Sequence, residues 1–346
     1  MNQLTKVVRF HRTGGPEVLK IEEIKKPKPV GNEVLIRVQA VALSRRDIIW
    51  RQGDYFEDAV FPARIGYDAA GVVESVGPGV KYLKVGDHVS TFPAVSLLDY
   101  AAHGETIVYP ENALHAYPQN LTPIQAAAAN TGLLAAYFAL AELAGIQRNQ
   151  QIVVTAASSS MGIAAIQMSA AVGAKCIAVT RSEEKKEGLL AAGATQVVIA
   201  GVEDVQRVIL DLSDGLGADV IYDGVAGPGL EELIWATKRF GHVIVYGHLG
   251  AMKHETSLPL GACFLRGLNV HASFRIHNFT GYPKLGLPAK KDAVKRAKKF
   301  VFENLALARV VPKVDRVFSG LDEYAAAHRY MEMNAQIGRI VISLSE

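Results

Sequence analysis

The feature that most constrains this chain begins at Gln151, where short apolar runs start to alternate with helix-length segments. Residues 152–156 (IVVTA), 176–180 (CIAVT) and 196–199 (QVVI) read as strands. Residues 220–222, 242–246 (HVIVY) and 268–274 continue the series. Between the first of them lie helical stretches at 163–172, ended by Gly173, and at 183–192, ended by Gly193. Strands without polar alternation are covered on both faces, and strands alternating with helices are joined by crossovers. The predicted class is α/β, with a doubly wound parallel sheet.

A chain of 346 residues is long enough for two domains. Its first third has a different texture. Residues 7–12, 19–24, 33–44, 69–76 and 87–92 show strand alternation, punctuated by Gly14-Gly15-Pro16, by 27–31 and by Gly77-Pro78-Gly79. Thr122 and Pro123 then offer an N-cap and a first helical position. Residues 309–318 and 338–344 return to strand character. The expected division is a β-rich domain at 1–123, completed by 309–346, with an α/β domain at 124–308 inserted in it.

Thirty-seven basic against 34 acidic residues give a net charge of +3, too even to require a polyanionic partner such as nucleic acid. The basic run at 290–299 interleaves Ala293, Val294 and Ala297, which makes it the solvated face of an amphipathic helix. Two cysteines, Cys176 and Cys263, exclude a disulfide framework and suit a reducing compartment. The first 15 residues have no apolar core of a signal peptide. The longest apolar run, 132–141, is short for a membrane span. The expectation is a cytoplasmic protein without a membrane partner.

The segment TAASSSMGIAAIQMSAAVGAK, 155–175, lies between a buried strand and a helix. A dinucleotide pyrophosphate docks at such a place, against backbone N–H groups at a helix N-terminus. Of the pattern G-x-G-x-x-G only Gly162 remains, and Ser158, Ser159, Ser160 and Met161 fill the turn. Small residues still admit a phosphate, and hydroxyls can donate to it; a plain strand-to-helix turn is the alternative. The next strand ends in Thr180-Arg181-Ser182, with Lys185 one turn on. An NAD site carries an acid there for the ribose hydroxyls. A guanidinium instead suits the 2′-phosphate of NADPH, although Glu183 and Glu184 stand close by and could meet a ribose.

With those residues in view, the chain resembles the zinc-independent quinone oxidoreductase and zeta-crystallin branch of the medium-chain dehydrogenase/reductase superfamily. The likeness runs through VVRFHRTGGPEVLKIEE, EVLIRVQAVALSRRD, FPARIGYDAAGVVESVGPGVKYLKVGDHVS, VIYDGVAGPG, VIVYGHLGA and AHRYMEMNAQIGRIVIS, in that order. It implies a GroES-like catalytic domain interrupted by a Rossmann domain, with a cleft between them. Zinc-dependent relatives read G-H-E-x-x-G where this chain has Gly66-Tyr67-Asp68-Ala69-Ala70-Gly71, and a cysteine at Ser44. Two expected ligands of a catalytic zinc are therefore replaced, and no metal is expected.

The resemblance implies reduction of quinones or α,β-unsaturated carbonyl compounds, with Ser44, Asp47 and Tyr55 in the substrate cleft. Tyr55 is the expected donor; a surface tyrosine is the plain alternative. Asp47 more naturally orders its loop. Arg275 would contact phosphate or acceptor, or simply be solvated, and Trp50 could line the cleft. The resemblance also places the nicotinamide near Gly247, His248, Leu249, Ser273 and Phe274, and the adenine near Asp223 and Val225. Asn334 and Arg339 fall at the coenzyme's edge. A homodimer through residues 268–274 is expected. NADP-dependent carbonyl or alcohol chemistry, and a low-turnover NADPH-binding crystallin-like role, stand as alternatives.

Overall fold

The computed structural model describes residues 3–250 and 255–345. Met1, Asn2 and Ala251, which belong to segments read above, lie outside it. Six parallel strands form one sheet in the spatial order Gln196–Ile199, Lys175–Thr180, Gln151–Val154, Ala218–Asp223, Thr237–Val245, Asn269–His271. The order of travel reverses between Gln151–Val154 and Ala218–Asp223, so the connections leaving these neighbours diverge and open a crevice at their carboxyl ends.

The uninterrupted apolar strands are explained by two-sided cover. Ile152, Val154 and Ala178 face one core with helix Ser160–Val172, while Val153, Ile177 and Val179 face another with helix Leu230–Trp235. The sixth strand is shorter than 268–274, since only Asn269–His271 pairs. The fifth is longer than 242–246, running from Thr237 to Val245. The helix expected at 163–172 starts at Ser160. The one expected at 183–192 splits into a 3₁₀ turn, Glu183–Lys185, and an α-helix, Lys186–Ala191.

A second, mainly antiparallel sheet is centred on Glu33–Ala42, which pairs with Asp68–Val76, Thr106–Pro110 and Arg339–Ser343. Val341 lies opposite Ala42, so the tail of the chain closes onto its first third. Helix Pro123–Tyr137 joins the two sheets. Thr122 caps it, its hydroxyl accepting from the Gln125 N–H at 3.3 Å. Ala126, Ala127 and Ala128 meet Ala40, Ala42, Ala70 and Val341, and Gly132 faces the Ala164 methyl. Small side chains let the helix approach both layers closely. The span Pro123–Leu143 is the one helix among the described residues long and apolar enough to cross a membrane, and 78% of its window is buried inside the protein. Asn130 donates from mid-helix to Ser90 Oγ at 2.7 Å, a core contact.

Candidate active site

The crevice is built from backbone outward. After Gln151–Val154 the chain turns at Ala156, whose φ of 46° is left-handed, and enters helix Ser160–Val172. Ser159 caps that helix, its Oγ accepting from the Gly162 N–H at 3.0 Å. A Cβ on Gly162 would come within 2.5 Å of the Ala157 carbonyl oxygen and 2.7 Å of that of Ala156. The turn is thus too tight for any side chain there, and it aims the first helical N–H groups at the crevice.

The facing strand ends in Asp223, a carboxylate wholly used in shaping its own loop. It accepts from the Thr155 hydroxyl, from Val225 N at 3.2 Å and from Ala226 N at 2.7 Å. Asp223 is 1% exposed, and burial raises its pKa against those hydrogen bonds. Val225 is half-buried, and its carbonyl accepts from Gly250 N at 2.7 Å, while that of Gly224 accepts from Leu249 N at 3.2 Å. The loop carrying Gly247, His248 and Leu249 therefore lies directly on the one carrying Asp223. A Cβ on Gly247 would meet the Gly224 carbonyl at 2.8 Å. Phe274 is buried and its N–H bonds the Val245 carbonyl at 2.8 Å, with Ser273 exposed beside it.

Several of the polar residues read from the sequence converge on the turn. Lys185 Nζ donates to Ser158 Oγ at 3.2 Å and to the Asn334 carbonyl at 2.9 Å. The Ser158 carbonyl accepts from Gly338 N at 2.9 Å. Burial lowers the Lys185 pKa, with Asp315 opposing. Asn334 holds a φ of 57°, and its side-chain oxygen accepts from Arg45. Thr180 is buried, its Oγ1 accepting from Ser182 N at 3.4 Å, and Arg181 is exposed. Met161 is half-buried on the core, beside Ser160. Arg339, next to Gly338, is 3% exposed. Its guanidinium donates to Asp68 Oδ2 at 2.5 Å and to the Leu43 carbonyl at 2.9 Å.

The residues expected around the acceptor come from helix Arg45–Gln52 and the loop after it. Asp47 reaches back to accept from the Ser44 N–H at 2.7 Å, and it is fully buried. Burial pushes its pKa up to about 7, with Ser44 and Arg46 opposing. Ser44 Oγ is buried without a partner. The Tyr55 hydroxyl lies 3.1 Å from that of Tyr67, and burial pushes the Tyr55 phenol up to about 12 against the pull of Arg46. Trp50 is spent behind Tyr55, edge-on at 5.6 Å, with its indole N–H on the Arg64 carbonyl at 2.9 Å. Arg275 crosses from the nucleotide-side sheet to stack over Phe56 at 5.0 Å.

Two family models match the chain: "Alcohol dehydrogenase GroES-like domain" over 31–144 and "Zinc-binding dehydrogenase" over 160–286. Quinone oxidoreductase 1 of Escherichia coli is 31% identical over 269 residues, covering 75% of this chain and 81% of the relative. The chain belongs to the quinone oxidoreductase branch of the medium-chain dehydrogenase/reductase family. A 2-haloacrylate reductase from a Burkholderia species is 26% identical over 96% of this chain and 97% of its own. The crystal structure of an E. coli quinone oxidoreductase complexed with NADPH superposes with a TM-score of 0.84 at 26% identity, covering 98% of this chain and 100% of that one.

Within this quinone oxidoreductase fold, four polar side chains of the crevice escaped the sequence reading as site groups. Arg45 and Arg46 entered only inside a resemblance segment, Tyr67 only as a replaced zinc ligand, and His277 not at all. His277 is 2% exposed with neither ring nitrogen hydrogen-bonded. Burial drives its pKa down to about 3, and Arg46 and Arg275 add to the shift. Tyr67 stacks beneath the Arg46 guanidinium at 4.9 Å. The only advance signal was that Ser44-Arg45-Arg46-Asp47 and Gly66-Tyr67-Asp68 lie inside two of the resemblance segments.

Proposed function

We propose that the chain is an NADPH-dependent, zinc-independent reductase of quinones or α,β-unsaturated carbonyl compounds, acting by hydride transfer. The observation that carries this reading is the pairing of a side-chain-free phosphate cradle at Gly162 with a group of residues holding the Tyr55–Tyr67 phenol pair under the Arg46 guanidinium. The NADPH named for the E. coli structure and the acrylate named for the Burkholderia relative support it.

The cradle fits a dinucleotide. Ser158 to Gly162 would hold the pyrophosphate at the helix N-terminus, Lys185 and Arg181 the 2′-phosphate, and the loops at Asp223–Val225 and Gly247–Leu249 would flank the rest. When bound, NADPH supplies the hydride. Tyr55, protonated at neutral pH, donates a hydrogen bond to the oxygen on which charge develops, and Tyr67 fixes the direction of that phenol. Asp47 holds the helix start that carries Arg45 and Arg46. A zinc ion does not fit here. Tyr67 offers a phenol already bonded to Tyr55, Ser44 offers a hydroxyl, Asp68 is bound by Arg339, and the Arg46 charge would repel a cation.

We assign residues 1–123 with 309–346 to the catalytic domain and 124–308 to the nucleotide domain, in a cytoplasmic homodimer. Stopped-flow loss of NADPH absorbance with a panel of quinones, enones and alcohol-derived carbonyls tests the reading. Oxidation with quinones or enones, insensitive to a chelator, is the expected result. Turnover confined to saturated carbonyls, or NADPH binding without any turnover, overturns it.

A further inference from the structure

Arg46 is a guanidinium beside Tyr67 whose one ion pair is long and shared. It leaves the first turn of helix Arg45–Gln52, 23% exposed, and stacks over the Tyr67 ring at 4.9 Å. One of its terminal nitrogens is buried and has no hydrogen-bond partner. That nitrogen, Nη2, is the one turned toward Asp68, whose Oδ2 lies 3.9 Å away, beyond hydrogen-bond reach. That same oxygen is held by Arg339 at 2.5 Å, and the other Asp68 oxygen is bonded by Thr131. Two guanidinium groups thus share one carboxylate.

The other acids of the cleft are also engaged. Asp47 faces the Ser44 N–H, and Glu57 accepts from the Tyr282 hydroxyl and from Ser96 Oγ at 2.9 Å. What remains unsatisfied is the Arg46 N–H, the Ser44 hydroxyl, Asp47 Oδ1 and the two ring nitrogens of the neutral His277, one a donor and one an acceptor, with Arg275 over Phe56. Buried donors without partners are costly until something arrives to accept from them. The uncompensated Arg46 charge favours an anionic occupant, and Phe56, His277 and Tyr282 pack edge to face beside it, the Phe56 centroid 6.0 Å from that of His277 and 5.3 Å from that of Tyr282. A planar carboxylate matches the fork of a guanidinium.

Building on the reductase reading, we infer that the acceptor is an α,β-unsaturated carboxylate and that Arg46 recognises its carboxylate group. Hydride adds at the β carbon, the C=C π bond breaks, and its electron pair moves to the α carbon and the carboxylate. That dianionic enolate is far less stable than a ketone enolate, and a fixed guanidinium offsets its charge. A proton from Tyr55 Oη then completes the α C–H bond, and solvent restores the phenol through the Tyr67 hydroxyl. One NADPH is oxidised to NADP⁺ and one proton is taken up for each saturated acid formed.

The test compares crotonate with crotonamide, near-isosteres differing in charge, using the NADPH-loaded protein, with a neutral enone as reference. The wild type should prefer crotonate by about tenfold or more in kcat/KM, because a site with unpaired donors discriminates strongly against an acceptor that cannot satisfy them. Arg46→Gln should abolish or reverse that preference, and Arg46→Lys should restore part of it. Equal use of both acceptors by the wild type, or a preference that survives Arg46→Gln, overturns the inference. Turnover of the enone alone leaves the reductase reading standing and sinks this one. If no acceptor is turned over, the reductase reading fails by itself. Calorimetric titration of crotonate and crotonamide into the NADP⁺ complex then decides, with selective crotonate binding supporting the Arg46 site and its lack overturning it.

Discussion

Thr180, Arg181 and Ser182 close the second strand of the parallel sheet with a hydroxyl, a guanidinium and a hydroxyl, and Arg181 stands exposed there beside Lys185. Lys185 is already tied to Ser158 and to the Asn334 carbonyl, so Arg181 is the freer cation for a 2′-phosphate. A charge-assisted hydrogen bond contributes roughly 1.5–3 kcal/mol, or about 10–100-fold in affinity. Arg181→Ala should therefore weaken NADPH by about that factor and NADH by less than about threefold, read by calorimetric titration of both. Equal losses would assign Arg181 to the part common to the two coenzymes. Asp47 makes a second statement at this scale. Its folded pKa of about 7 lies above the ordinary 3.8 because burial disfavours the charged form. The unfolded chain thus loses its proton first, and the contribution of Asp47 to stability falls as pH rises from about 4 through 7. Asp47→Asn keeps an acceptor for the Ser44 N–H and removes the titration. Its stability relative to wild type should improve by roughly 2–3 kcal/mol between about pH 5 and pH 8. Denaturant midpoints at the two pH values check this, and a constant difference would show that Asp47 is not the group titrating.

At the scale of elements, the strand–turn–helix at residues 151–172 depends on the one position where a methyl has no room. Gly162→Ala would press its Cβ against the Ala156 and Ala157 carbonyl oxygens. The start of helix Ser160–Val172 must then shift and the Ser159 cap bond lengthen, at a cost of about 1–3 kcal/mol. Coenzyme affinity should fall together with the melting temperature, and a variant that melts lower but binds NADPH normally would separate the turn from the phosphate. The strand and the glycine of this element were legible because each has a local cause, a buried β-branched run and a turn without room for a side chain; the Ser159 cap was not, and the helix starts three residues before the expected 163. The strands of the parallel sheet and the Thr122 cap were legible for the same reason. Helix Arg45–Gln52 was not, since RRDIIWRQ is short and charged, and its start is fixed by Asp47 reaching back to Ser44. Strand Thr106–Pro110 went unread as well, because its place comes from pairing with Glu33–Ala42, some seventy residues earlier. The cleft was the least legible part. Arg46, Tyr67 and His277 come from three separated segments, and only folding reveals that they share one space and that Arg339 is bound to Asp68.

For the molecule as a whole, the parallel sheet ends at Asn269–His271, a three-residue strand bonded on one side to Thr237–Val245 and carrying no paired strand on the other among the described residues. An unpaired edge is a template for another strand. Beside it, helix Leu260–Arg266 leaves Leu260 70%, Phe264 87% and Leu265 63% exposed, and Phe240 is 76% exposed close by, its ring within reach of Gly267. Large apolar side chains grouped against a free sheet edge are what a two-fold contact would cover, edge to edge, continuing the sheet into a second copy. Light scattering on the eluting protein at micromolar concentration should therefore give twice the chain mass. Phe264→Asp would put a charge in the middle of the apolar contact, and because the side chain is exposed in the single chain it should leave the fold and its melting profile nearly unchanged. The variant should elute as a monomer while NADPH affinity is kept, since the phosphate turn lies at the opposite, carboxyl ends of the central strands. A wild type that is monomeric across that concentration range, or a variant that remains dimeric, would move the interface away from this edge.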